Sequence, residues 1–526
     1  MVSYLPCGKS SKPKEAQVPT TATPVETLDV LIVGAGVSGI GAAHYVTKEM
    51  PQKTYALLEG RESIGGTWDL FRYPGIRSDS DLHTFGFEFK PWVDKQSIAD
   101  ADRIMQYLRE AVDEDKINQH LRLQHKVTAL NWSSSEQLWT AEIDRLDTGE
   151  HIQLKASWVY CGSGYYNYDE GFTPHFEGRE RFTGQVVHPQ HWPEDLDYKG
   201  KKVVVIGSGA TAVTLLPAMA NETEHITMLQ RTPTYILPLP KHDPFANVAR
   251  RILGDERGYA VARWKNILQQ RVLYEAAQRF PKTSRKVIRK VNQVLLPDGY
   301  DVDTHFNPPY NPWDQRLCAV PDADLFKTIR SGKASVVTDR IKSFTEKGLL
   351  LASGTELEAD IVVTATGLNV RLFGGMELSL DGEPVVLRDH VIYRGMMLSG
   401  VPNLALAVGY TNSSWTLKIG LIGEYWCRLM AYMDARGYRE VAPVVDPNME
   451  TRPALDFGAG YIKRVEDQLP RQGAEEPWKM SMSFYKDRKA LGADVADFEN
   501  LRFKRAASPA GVGSSEGSER VESAVG

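Results

Sequence analysis

The feature that most constrains this chain is a pair of glycine turns, each following an apolar strand and opening a helix. The first strand reads Asp29-Val-Leu-Ile-Val33 and runs into Gly34-Ala-Gly36-Val-Ser-Gly39. A small-residue helix follows through Ala42, Ala43 and Val46, and a second strand, Thr54 to Glu59, closes a βαβ unit. The pattern returns at Lys202-Val-Val-Val-Ile206, Gly207-Ser208-Gly209-Ala210-Thr211-Ala212 and the strand Ile226 to Arg231. Gly34 permits a tight turn, Gly36 lets backbone amides approach a pyrophosphate, and Gly39 lets helix and strand pack closely. Two such units predict an α/β fold with two dinucleotide-binding, Rossmann-like domains.

The residue ending each unit separates the two sites. Glu59 lies 25 residues after Gly34 and offers a carboxylate to ribose hydroxyls. In the second unit Arg231-Thr232 stands at that point, with Arg231 24 residues after Gly207. An arginine pairs with a 2′-phosphate that an acid would repel. The first site is therefore expected to take FAD and the second NADPH. Two dinucleotides in one chain imply a flavoprotein reduced by hydride transfer. The four cysteines, Cys7, Cys161, Cys318 and Cys427, form no CxxC pair, which excludes a dithiol reductase, a Cys-based zinc site and a disulfide framework; no metal is expected. Dioxygen is the remaining acceptor.

Composition narrows the class further. With 526 residues, 42% hydrophobic and 25% charged, the chain is globular and long enough for about three domains. A net charge of -5 gives no reason to expect nucleic acid as a partner. No run of about 20 apolar residues predicts a membrane span, so a cytoplasmic location is expected, with peripheral membrane association left open. Residues 1–26 and 504–526 read as disordered ends. Between them we expect FAD-binding segments at 27–160 and 370–503, NADPH-binding segments at 161–240 and 310–369, and a helical insertion in the NADPH domain at 241–309. The insertion is either a surface subdomain or a wall of the substrate pocket. The polar, aromatic stretch Gly409 to Trp415 is expected to line that pocket.

Two further motifs carry a family resemblance. Phe182-Thr-Gly184-Gln-Val-Val-His188-Pro-Gln-His-Trp192-Pro193 resembles the FxGxxxHxxxW[P/D] fingerprint of type I Baeyer–Villiger monooxygenases, within the class B flavin monooxygenases. Gly66-Thr-Trp68-Asp-Leu-Phe-Arg-Tyr73-Pro74-Gly75-Ile-Arg-Ser-Asp79 resembles their GxWxxxx[F/Y]PGxxxD pattern. That segment and Tyr310-Asn-Pro-Trp-Asp-Gln-Arg-Leu-Cys318 look closest to the ethionamide-activating subgroup. The resemblance implies oxidation of small ketones to esters or lactones, and of sulfides to sulfoxides, by NADPH and dioxygen through a flavin peroxide. It implies that Arg316 is the active-site arginine and that Asp79 holds it. Gly66, Trp68 and Asp79 are expected at the cofactor, with Trp68 and Tyr73 either packed near the isoalloxazine or simply core aromatics. The resemblance also implies that His188 and Trp192 couple domain movement. Gln315 replaces a lysine that helps hold the 2′-phosphate in many relatives, which narrows the expected preference for NADPH. The alternatives are a monooxygenase acting only on sulfur or nitrogen, and an uncoupled NADPH oxidase or redox sensor. Oligomeric state is not legible.

Overall fold

The computed structural model describes residues 25–315, 317–455 and 460–506. Two parallel-sheet units organise the chain. In the first, β1 (Glu26–Val33) leads into α1 (Val37–Glu49) and β2 (Tyr55–Leu58), and β1 lies between β2 and β3 (His151–Cys161), parallel to both. The first half of β3 pairs antiparallel with Leu138–Arg145, and its end pairs parallel with Leu404–Leu406. One nine-stranded sheet thereby joins early and late segments of the chain. Its central strands are buried on both faces, which explains why the second half of β1, Val30–Val33, reads as an unbroken apolar run.

The chain leaves this unit along β4 (Tyr166–Gly171) and builds a five-stranded parallel sheet. Here β5 (Lys202–Ile206), α2 (Ala210–Met219) and β6 (His225–Gln230) form the second βαβ unit. The strand β7 (Ile361–Thr364) pairs with the other side of β5. The chain returns along β8 (Leu368–Val370), which pairs antiparallel with β4, so the outward and return crossings are hydrogen-bonded to each other.

The insertion comprises three principal helices: α3 (Pro244–Leu253), α4 (Asp255–Arg279) and α5 (Pro281–Leu295). It interrupts the second unit in sequence but is fastened to the first in space. The buried Arg263 donates from Nη1 to the carbonyls of His83 (3.0 Å), Thr84 (3.2 Å) and Gly86 (2.7 Å). Tyr259 OH donates to the Phe87 carbonyl at 2.8 Å.

Both expected domain ends shift. Glu26 already belongs to β1, and the strand Leu501–Arg505 runs past Phe503. That strand pairs with Tyr438–Pro443, and Lys504 meets the buried Glu440 carboxylate at 2.7 Å. The extension 1–24 and the tail 507–526, expected to be disordered, lie outside the described residues, and so does Cys7.

Candidate active site between two nucleotide clefts

The first glycine turn shapes a cleft of about 540 Å³. Gly34 has φ +95°, and its N–H donates to the Leu58 carbonyl at 2.7 Å. A Cβ on Gly39 would lie 1.8 Å from the Gly34 carbonyl oxygen, so only glycine allows the helix to pass this close. No side chain caps the N-terminus of α1 at Gly36. A Cβ on Gly36 would meet only Gly66, at 3.8 Å, because the turn faces the open cleft. The helix amides and the dipole thus present a site for an anion. Glu59 is 7% exposed at the end of β2. Its Oε2 accepts from Ala35 N–H at 2.8 Å and its Oε1 from Arg61 N–H at 3.0 Å. Burial pushes its pKa up, opposed by those two hydrogen bonds. Glu59 lines the cleft, and its carboxylate keeps lone pairs free for further donors.

The second turn repeats this geometry. Gly207 has φ +132°, where a Cβ would strike the Ala365 carbonyl oxygen at 2.3 Å. Gly209 begins α2 without a side-chain cap, and a Cβ there would meet nothing within 4 Å. Ser208 Oγ donates to the Thr232 carbonyl at 3.3 Å and contacts Thr234 Oγ1 at 2.7 Å, which ties the turn to the segment after β6. Ala210 and Arg231 are exposed beside it, and Thr211 is half-buried.

The segment Gly66–Asp79 joins the two units. At one end, a Cβ on Gly66 (φ +55°) would stand 3.2 Å from Gly36 Cα, and Trp68 lines the first cleft edge-on to Phe85. In the middle, Tyr73 is buried in the core of the second unit. Burial pushes its hydroxyl up to about 12, opposed by a hydrogen bond to Thr211 on α2. A Cβ on Gly75 (φ +75°) would stand only 2.6 Å from that of Ala218 on the same helix. At the other end Asp79 lines a cavity of about 1190 Å³, together with Trp313 and Gln315. Arg316 lies outside the described residues.

This cavity meets the first cleft at Phe85 and Trp415, which line both. Trp415 Nε1 donates to Ser38 Oγ on α1 at 2.8 Å. The stretch from Tyr410 to Trp415 lines the cavity, as does α4 through Asn266, Gln270, Leu273 and Tyr274. The insertion is therefore a cavity wall. A polar network holds it there. Asp81 accepts from Asn266 Nδ2 (2.9 Å) and Gln270 Nε2 (2.8 Å), Thr84 Oγ1 meets Ser414 Oγ (2.7 Å), and Ser413 Oγ donates to Gln270 (2.9 Å).

The 182–193 motif does not itself line the first cleft, but Gln190 Nε2 donates to the carbonyl of Asn167, which does, at 2.8 Å. Phe182 packs edge-on against Phe344, and a Cβ on Gly184 would strike the Asp360 carbonyl oxygen at 2.3 Å. His188 lies between the crossings. Its Nδ1 accepts from Gln190 N–H at 3.2 Å, which leaves Nε2 to donate to the Gly367 carbonyl at 3.3 Å. A Cβ on Gly171 would fall 1.9 Å from the ring. Burial holds the imidazole pKa below its ordinary value. Trp192 is half-buried against the core of the second unit, and Pro193 is exposed.

One buried ion pair escaped the sequence reading. Lys418, 1% exposed, meets Asp487 at 3.1 Å beneath Tyr410, with its ammonium 5.5 Å from the ring centroid. The available signal was a lysine within the apolar run Leu417–Ile422 at the start of the helix Thr416–Arg436.

Comparison with known proteins accords with this arrangement. A model of the flavin-binding monooxygenase-like family matches residues 28–381. The chain is 50% identical over 490 residues to the FAD-containing monooxygenase EthA of Mycobacterium tuberculosis, covering 93% of this chain and 100% of that one. It is 48% identical over 472 residues to the probable FAD-binding monooxygenase AlmA of Acinetobacter baylyi, covering 88% and 93%. A steroid monooxygenase structure bound to NADP shares the fold, with a TM-score of 0.72 at 21% identity, covering 91% of this chain and all of the other. By the span of the family match and the identity to these relatives, the chain belongs to the flavin-binding monooxygenase-like family.

Proposed function

We propose that this protein is an FAD- and NADPH-dependent monooxygenase that converts ketones to esters or lactones and sulfides to sulfoxides. The observation that carries the reading is the large cavity meeting the first nucleotide cleft at Phe85 and Trp415. A substrate there would lie beside the end of a dinucleotide whose phosphates sit at α1. FAD supplies activation of dioxygen once NADPH has reduced it.

The protein's own contributions follow from the site. The α1 amides bind pyrophosphate and Glu59 binds ribose. The α2 amides would hold the second dinucleotide, and Arg231, with Thr232 and Gln315, would hold its 2′-phosphate. Residues 26–160 and 370–505 form the FAD domain, and 161–240 and 310–369 the NADPH domain. Arg316, a fixed fork of donors that stays charged, stabilises negative charge developing on the substrate oxygen. Asp79 orients it. Phe85, Trp415 and the wall of α4 exclude water.

The test is product mass spectrometry under isotopically labelled dioxygen, with NADPH and a mixture of a cyclic ketone, a phenyl ketone and a thioether. Labelled ester or lactone is expected. Label in the sulfoxide alone would overturn the ketone chemistry, and NADPH loss without labelled product would overturn the oxygenase reading. Arg316→Ala is expected to abolish lactone formation while NADPH still bleaches the flavin absorbance; retained ketone oxidation would remove Arg316 from the chemistry.

A further inference from the structure

Large apolar side chains are left in solvent mainly on one part of this molecule. Of nineteen exposed among the described residues, twelve fall between 244 and 295, on the helical insertion. They are ordered. On α4, Val261, Trp264, Leu268 and Val272 recur at spacings of three and four and form one stripe, of which Trp264 is partly covered by Phe484 and Arg488, while Tyr259, Ala262, Asn266 and Ile267 face inward. On α3, Phe245, Val248 and Ile252 repeat that spacing, and Ile252 is 74% exposed. On α5, Val287 and Val294 lie seven residues apart.

The same helices hold an opposite charge balance to the rest of the protein. Residues 244–295 contain twelve Lys and Arg against three Asp and Glu, in a chain of net charge -5. The helix α5 has no acid at all, and Lys282, Lys286 and Lys290 follow one another at i, i+4 and i+8 beside its exposed valines. No helix among the described residues is long and apolar enough to cross a membrane.

We propose that this face docks the protein on an anionic lipid bilayer. Apolar side chains enter the headgroup boundary while lysines and arginines meet lipid phosphates, the chemistry of an interfacial amphipathic helix. A second copy of the chain is a poor occupant, because the excess positive charge would face itself. Placement adds to the argument: Phe245 belongs both to the exposed stripe of α3, with Val248 and Ile252, and to the lining of the large cavity. Docking would therefore bring the cavity mouth to the membrane surface, where sparingly soluble substrates collect.

The test is co-sedimentation of the FAD-loaded full chain with vesicles of phosphatidylcholine alone and of an equimolar mixture with phosphatidylglycerol. We expect binding to the mixed vesicles, release by salt, and little binding to the neutral ones. Lys282→Gln, Lys286→Gln and Lys290→Gln together should lower the partition coefficient about a hundredfold. Ile252→Ser with Val294→Ser should lower it about tenfold at every salt concentration. Flavin content, and NADPH oxidation with a water-soluble ketone, should not change in either variant. Failure of the unaltered protein to bind mixed vesicles, or equal binding to neutral ones, overturns the proposal whatever the variants do. So does a change in oligomeric mass in the analytical ultracentrifuge when these residues are replaced, which would identify the face as a contact between copies.

Discussion

Single atoms decide much of the first cleft. Replacing Gly39 with alanine would set a methyl group 1.8 Å from the Gly34 carbonyl oxygen, and neither backbone can yield without opening the turn. We expect Gly39→Ala to cost about 3 kcal/mol of stability and to be isolated largely without FAD, measured by denaturant unfolding and flavin absorbance. Arg231 stands in solvent at the second cleft. Arg231→Ala should raise the NADPH Michaelis constant by roughly tenfold or more and leave NADH almost unchanged, since a charge-assisted contact is lost with one coenzyme only. Equal losses with both would point to misfolding. These residues were legible because their meaning is local: a glycine after a strand, an acid or a base at the end of the next one. Lys418 and Asp487 were not. They are 69 residues apart in sequence, and each reads alone as an ordinary charge until the fold buries them together.

At the level of elements, the sequence showed the helices of the insertion but not their address. Spacing of three and four marks an amphipathic helix whichever partner it finds. The partner of α4 is the segment 83–87, about 180 residues earlier, and the contact runs through backbone carbonyls that carry no side-chain signature. Arg263 holds three of them from a single nitrogen. Removing it would strand buried acceptors, so Arg263→Ala should cost about 3 kcal/mol. The loosening should be local. Limited proteolysis should then cut first between 244 and 300, while the unaltered protein resists there. The join between β3 and Leu404–Leu406 was hidden for the same reason, because short strands far apart in sequence declare no register.

In the whole molecule, the two units are joined by paired crossings, and His188 is lodged between them. As a neutral ring it accepts at Nδ1 and donates at Nε2. Protonation would turn the acceptor into a donor facing an N–H. The folded-state pKa lies below the ordinary 6.5, mainly through burial. The unfolded chain therefore binds the extra proton first as pH falls. The contribution of His188 is complete above 6.5 and is lost as pH drops through that value toward the folded pKa. Melting temperatures measured against pH should show a steeper acid-side fall for the unaltered protein than for His188→Asn. Parallel curves would show that the ring does not titrate between the two states.

The uncapped starts of α1 and α2 have a consequence for heredity. Under the proposed assignment a pyrophosphate there is gripped by main chain, which no ordinary substitution can rewrite, and Gly34, Gly39 and Gly207, which shape the turns, leave no room for a side chain. Choice between coenzymes is, under the proposed assignment, carried by a few exposed side chains after the strand: Arg231, Thr232 and Gln315. A lineage built this way can change its source of reducing power by point mutation, while the fold that holds the nucleotide is passed on intact.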